Sequence, residues 1–195
     1  MDEFEGDYTL TASAWDELLW VWKRTDAPKG CKVEILQGLV TVAPYSAVAH
    51  PLVQAPLQRR LHEVIPASWG IYQRLALACP ARSELYVPDL AVVPERGMKG
   101  EDEYYVPAGA AELVVEVTSA ATAHHDRSTK AAGYAAAGVP LYLLVDQLAP
   151  DGPAVTLYGT PLGGAYRVLA SVGFGSPLEL PPPFRLAVSV GRQLV

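Results

Sequence analysis

The chain has 195 residues, of which 50% are hydrophobic and 18% charged, with a formal net charge of −6. A charged fraction below the ordinary quarter, with so much apolar content, excludes a disordered chain and predicts one folded domain with a sizeable core. The negative balance argues against tight, non-specific nucleic-acid binding, although a cluster of metal-binding carboxylates also makes a protein acidic.

Thr11 to Lys23 reads as an amphipathic helix, with Trp15, Leu18, Leu19 and Trp22 on the 3.6-residue period. Thr11 suits the N-cap, and Leu10 with Trp15 suits a hydrophobic staple. Lys32 to Val42 reads as a hairpin whose turn is Gln37-Gly38. His50 to Ile65 has helical spacing in Val53, Leu57, Leu61 and Val64, and Pro56 predicts a kink or a delayed start. Ile71 to Ala78 and Leu85 to Val93 read as strands, and Pro94 to Ala110 as a loop. Ala111 to Val117 is a further strand, Asp126 to Ala137 a helix ended by Gly138, and Leu141 to Val145 a short buried strand. His124-His125 are read as loop. Ala154 to Tyr158 and Tyr166 to Ser171 form a hairpin around Gly163-Gly164, and Arg185 to Val190 is a last short strand.

The strand–helix–strand unit from Ala111 to Val145 implies a parallel pair with a right-handed crossover. The expected fold class is α/β (α+β), with a central mixed β-sheet flanked by helices and an N-terminal helix and hairpin. The expected organisation is a single domain over 1–195. It has a helix and hairpin at about 10–45, a core at about 46–147 and β hairpins at about 153–190. Cys31 and Cys79 have no metal-type spacing and read as small core residues of a reducing compartment. The acidic start, Met1 to Asp7, lacks the apolar stretch of a signal peptide, and no apolar run reaches a membrane span of about 18 residues. A cytoplasmic location without a membrane partner is therefore expected.

The chemistry rests on two apolar runs with one carboxylate inside each, Val87-Pro88-Asp89-Leu90-Ala91-Val92-Val93 and Leu113-Val114-Val115-Glu116-Val117. A buried ionised carboxylate is costly unless a charge or a metal compensates it. Positions 89, 91 and 93 share one strand face, as do 112, 114 and 116, so Asp89 and Glu116 converge if the strands are neighbours. Two close carboxylates suit Mg²⁺, or Mn²⁺, which takes hard oxygen ligands together with waters and substrate phosphate. Taken singly, Asp89 also reads as a turn cap after Pro88. Lys130 lies four residues after Asp126 and four before Tyr134, on one helix stripe. It is either half of an exposed ion pair, which the periodicity alone favours, or an ammonium aimed at a scissile phosphate. Glu34 is either a third metal carboxylate or a solvent-facing strand residue. His50 is a helix-start, core or phosphate-contacting residue, and Asp146 a turn residue. No Gly-rich phosphate loop, HExxH, CxxC or GxSxG is present.

These segments, with Asp126-Arg127-Ser128-Thr129-Lys130, Tyr134 and Gly138 to Asp146, resemble the bacterial Uma family of restriction-endonuclease-like proteins, in the PD-(D/E)XK nuclease superfamily. Glu34 with Gly38, and His50, extend the resemblance from about residue 10 to 190. It implies a restriction-endonuclease-like core and a Mg²⁺-dependent endonuclease that hydrolyses DNA. Asp89 and Glu116 would be metal ligands, joined by the backbone carbonyl of Val117 and by Glu34. The superfamily's usual lysine position is Thr118 here, and the resemblance moves that role to Lys130. His50, Asp126 and Tyr134 would support the site. Three local departures are Gln37 for an aspartate, Ser119-Ala120 for Ser-Pro, and Tyr142-Leu143 for Tyr-Trp. The alternatives are an inactive binding or oligomerisation module that retains the nuclease fold, and a nuclease dependent on a partner for DNA affinity. A homodimer is compatible with duplex cutting.

Overall fold

The structure, a computed structural model, describes residues 13–45, 49–99 and 102–191, with only the backbone at Ala49 and His50. Helix α1 (Ala14–Arg24) starts later than its periodicity suggests. Its N-cap is Ser13, which accepts from the Asp16 N–H while the Asp16 carboxylate accepts from Ser13 N–H, a capping box. Thr11 and Leu10, the expected cap and staple, lie outside the described residues. The apolar stripe of α1, Trp15, Leu18, Leu19 and Trp22, packs on Ile35, Ala76, Leu85 and Val87.

Strands β1 (Cys31–Leu36) and β2 (Leu39–Pro44) form the predicted hairpin, with Gln37 at φ 52° and Gly38 at φ 76° supplying the two left-handed positions of a type I′ turn. In β1 the alternation puts Ile35 toward α1, while Lys32, Glu34 and Leu36 face the interior. Helix α2 (Ala49–His62) runs through Pro56 without a delayed start. The carbonyl that loses its donor there belongs to Leu52, on the exposed side, where water can serve it.

Each of the next two predicted strands is divided between two sheets. Ile71 to Ala78 becomes β3 (Trp69–Tyr72) and β4 (Leu77–Cys79), broken where Arg74 adopts φ 58°. Leu85 to Val93 becomes β5 (Glu84–Tyr86) and β6 (Leu90–Pro94), broken at Val87-Pro88-Asp89. A five-stranded sheet has the order β2-β1-β5-β4-β7, where β7 (Val106–Pro107) comes from the predicted loop and pairs parallel with β4.

The central mixed sheet is six-stranded, β11-β10-β9-β8-β6-β3, built with β8 (Leu113–Val117), β9 (Leu141–Asp146), β10 (Ala154–Leu162) and β11 (Ala165–Gly173). Its one parallel pair is β8–β9, the pair expected from the crossover. A separate hairpin pairs β12 (Pro177–Leu180), unforeseen in the sequence, with β13 (Leu186–Ser189).

The crossover helix is broken into α3 (Ala123–Arg127) and α4 (Thr129–Ala136), with Ser128 at φ −124° and ψ −76° between them. His124 and His125, read as loop, are in α3. One face of the six-stranded sheet packs on α2 and β12–β13 through Leu90, Val92, Val115 and Val117. The other packs on α4 and the five-stranded sheet through Ala91, Val93 and Val114.

Gly133 permits the closest approach in that second layer. A Cβ there would overlap the hydroxyl of Tyr86, which is fully buried and donates to Glu84. Alanine normally stabilises a helix interior by up to about 1 kcal/mol over glycine. Here the sign reverses: Gly133→Ala is expected to destabilise by about 1–3 kcal/mol, the cost of overpacking, measured by urea unfolding.

Candidate active site

The β6–β8 register sets the site. Leu90 lies opposite Val115, so the next residues outward are Asp89 and Glu116, on the face of Ala91 and Val114 that looks toward α4. Asp89 is 6% exposed, and both its oxygens are oriented by the protein. Oδ2 accepts from the Val117 N–H at 2.7 Å, and Oδ1 accepts from Gln54 Nε2 at 2.9 Å. Glu116 is 1% exposed, and its Oε1 accepts from Lys130 Nζ and from the Tyr134 hydroxyl, each at 2.9 Å.

Glu34 enters from β1. Its Oε1 accepts from the Val87 N–H at 2.7 Å and lies 2.9 Å from Lys130 Nζ. Glu34 is therefore an interior residue, 2% exposed, and the solvent-facing reading does not hold. Lys130 is likewise no surface partner of Asp126. It is fully buried, 2.9 Å from both Glu34 and Glu116 and 3.3 Å from Asp126 Oδ1. The ammonium thus lies within ion-pair distance of three carboxylates, from β1, β8 and α3. Neither Asp126 carboxylate oxygen accepts a hydrogen bond from the described residues, although the side chain is wholly enclosed.

Lys32 was missed by sequence reasoning. Its Nζ lies 3.4 Å from Glu34 Oε2 and 3.9 Å from Glu116 Oε2, and donates to the Val87 carbonyl at 3.2 Å. The only available signal was its two-residue spacing from Glu34, which puts both on one strand face. The structure brings Asp89, Glu116, Glu34, Lys130, Asp126 and Tyr134 to one place. Val117 contributes its main chain only, since its side chain lies in the opposite apolar layer. The side chain of His50 lies outside the described residues. Asp146 ends β9 as a buried partner of Arg127, 2.6 Å away, and accepts from the Thr118 hydroxyl at 3.1 Å.

The balance of charge is unequal. Four carboxylates (Glu34, Asp89, Glu116 and Asp126) face two ammoniums (Lys32 and Lys130), and all six are buried. Burial pushes Glu34 up, but Lys130, Lys32 and the Val87 N–H outweigh it and hold its carboxyl low. Burial likewise opposes the Lys130 ammonium, and Glu116, Glu34 and Asp126 override it and keep it protonated. Glu116 is the other carboxylate 2.9 Å from Lys130 Nζ. Its carboxyl is pushed up to about 8 by burial, against the attraction of Lys130 and Lys32 and with added repulsion from Asp126 and Asp89. Burial, then Glu116, raises the Tyr134 phenol, so it remains a donor.

The residues present fit a hard divalent ion in one respect. Asp89, Glu116 and the nearby main chain offer oxygen donors in a cluster with surplus negative charge, and Mg²⁺ commonly takes only one or two carboxylates. Among the described residues, no three His, Cys, Asp or Glu side chains are gathered as a metal-binding group. Glu34 is oriented toward Lys130, Lys32 and Val87.

The chain has a restriction-endonuclease-like mixed α+β fold that encloses a buried acid–lysine cluster. The sequence profile of the Uma2 family, described as "Putative restriction endonuclease", matches residues 17–191, and the chain belongs to that family. Among solved structures, it is similar to a putative nuclease of DUF820 from Anabaena variabilis ATCC 29413. The TM-score is 0.65 at 18% identity, covering 90% of this chain and 93% of that one. A search of curated proteins returned no match.

Two outcomes follow from the buried charges. Glu116 has a folded pKa raised from 4.5 to about 8, so the folded state binds the extra proton between those values. The Glu116 contribution to stability without divalent ions is therefore full below pH 4.5 and falls as pH rises toward 8. Urea titrations across that range should show the slope, and Glu116→Gln should flatten it. Lys130→Met leaves three buried carboxylates without their common cation. It should cost about 3–5 kcal/mol at pH 8 and less at pH 5, where a carboxylate protonates in compensation.

Proposed function

We propose that the chain is a metal-dependent endonuclease that hydrolyses phosphodiester bonds of DNA at Asp89 and Glu116. The observation that carries this reading is their juxtaposition at one end of β6 and β8, in a buried cluster whose carboxylates outnumber its ammoniums four to two.

In this reading Asp89, Glu116 and the carbonyl of Val117 would hold Mg²⁺ or Mn²⁺. Such an ion, when bound, polarises the scissile phosphate and lowers the pKa of its water. The protein's own residues do the positioning. Gln54 and the Val117 N–H fix the two oxygens of Asp89. Tyr134 and Lys130 fix Oε1 of Glu116, leaving Oε2 turned toward Lys32. Glu34 holds both lysines and is a positioning residue rather than a third ligand. Lys130, enclosed and shared among three carboxylates, is also a positioning residue, and Lys32 is the ammonium on the other side of Glu116. Uma2 membership and the likeness to a nuclease structure support a nucleic-acid substrate.

A folded module without catalysis is the second reading, favoured by the lack of a three-acid metal group among the described residues. Calorimetric titration with Mn²⁺ and a plasmid-cleavage assay separate the two. The wild type should bind the ion and cut, and Asp89→Ala and Glu116→Ala should lose both while remaining folded. Cleavage by Asp89→Ala at the parental rate would sink the assignment, and a wild type that neither binds the ion nor cuts supports the inert module.

A further inference from the structure

A cavity of 320 Å³ opens beside the carboxylate cluster, between α1, the start of β1 and the corner after β3. Its walls include Lys23, Lys32 and Arg74 together with Trp22, Tyr45 and Tyr104, and among the described residues no acidic side chain lines it. In a chain of net charge −6, a concave surface with three cations and no carboxylate is a local reversal of sign. Lys23 is already matched by Asp102 at 2.7 Å, and Lys32 by Glu34. Arg74 is different. It is exposed, forms no ion pair with a described residue, and rests its guanidinium 4.0 Å from the centre of the Tyr45 ring.

The backbone of Arg74 sits at φ 58°, a left-handed position that a side-chain-bearing residue adopts unfavourably. A glycine or asparagine would turn this corner more cheaply, so the arginine is not explained by the turn. The Tyr45 phenol is pushed up by partial burial, eased by Arg74 and pushed again by Glu34 and Asp89. Lys32 closes the inner end of the cavity, within 3.9 Å of Glu116.

A guanidinium over a ring face can still offer its planar fork of donors, and that fork matches the oxygens of a phosphate. Aromatic walls beside it suit a sugar and a stacked base. We infer that this cavity holds a phosphodiester of the nucleic-acid strand next to the one that is cut. Arg74 grips the phosphate, and Tyr45 and Tyr104 lie against the nucleoside. The inference rests on reading Asp89 and Glu116 as a nuclease centre, but the binding it describes needs no divalent ion.

The test is fluorescence anisotropy with labelled single-stranded and duplex DNA oligonucleotides, in EDTA, from 50 to 200 mM NaCl, on the full chain. Arg74→Gln keeps the stem and the backbone requirement while removing the charge. It should weaken binding about tenfold and make the salt dependence shallower by about one phosphate contact. Arg74→Lys should recover part of the loss, and Arg167→Gln, on the far edge strand, should change nothing. Equal affinity and equal salt slope for Arg74→Gln and wild type would overturn the inference, as would a wild type that binds neither oligonucleotide. An Arg74-dependent affinity without cleavage in Mn²⁺ leaves this site standing and removes the nuclease reading. Cleavage with an unchanged KM in Arg74→Gln does the reverse.

Discussion

The ammonium of Lys130 is the point on which the rest of the structure depends. It is fully buried, and its charge survives only because Glu34, Glu116 and Asp126 surround it. A lysine stripped of water is unfavourable by several kcal/mol, and so is each carboxylate, so none of the four tolerates the loss of its partners. The shared contact therefore fixes the distance between the five-stranded sheet, which supplies Glu34, the six-stranded sheet, which supplies Glu116, and the helices above them. Only an apolar replacement of the lysine together with its carboxylates could pack well, as buried ion pairs often confer little net stability. The lysine's presence is better explained by the position it imposes on two carboxylates than by the energy it adds.

The same economy shows in how the two sheets are joined. The chain passes from β3 to β4, and again from β5 to β6, by leaving one sheet for the other. The first transfer turns at Arg74, the second at Val87-Pro88-Asp89. At the second, the residues freed from strand pairing do the site's work. The Val87 N–H anchors Glu34, the Val87 carbonyl takes Lys32, and Asp89 turns its carboxylate to Val117. Proline at 88 suits this point because it has no N–H to give to a ladder. A break that would be a flaw inside a sheet here supplies the polar groups of the cluster.

Which parts could be read from the sequence follows from what a linear pattern contains. Asp89 and Glu116 stood out because a single charge in an apolar, β-branched run has no cheap explanation. Lys130 was legible in position but not in setting. The Asp126–Lys130 spacing is that of a surface ion pair, and the alanines around it do not reveal that both faces of the helix are covered. Lys32, between Cys31 and Val33, looks like any lysine at the start of an exposed hairpin. Only the fold of β1 under α4 makes it interior. The divided strands were hidden for a related reason. Hydrophobic runs report that a segment is buried, not which of two sheets buries it. The β12–β13 hairpin escaped because Pro181-Pro182-Pro183 reads as a break, while the short run before it has too few residues to show a period.

Net acidity and nucleic-acid chemistry are compatible here because the charge is not spread evenly. Four of the acidic side chains are folded inward around two lysines, where low dielectric concentrates their field on the cluster itself. Toward solvent, the field of such a buried group is partly cancelled by the lysines it holds. In the proposed complex the strand would meet the surface next to it, where arginine, lysine and aromatic rings line the walls. Net charge, which weighs every residue equally, is thus a poor guide to a site built from a buried acidic centre and an exposed basic lip.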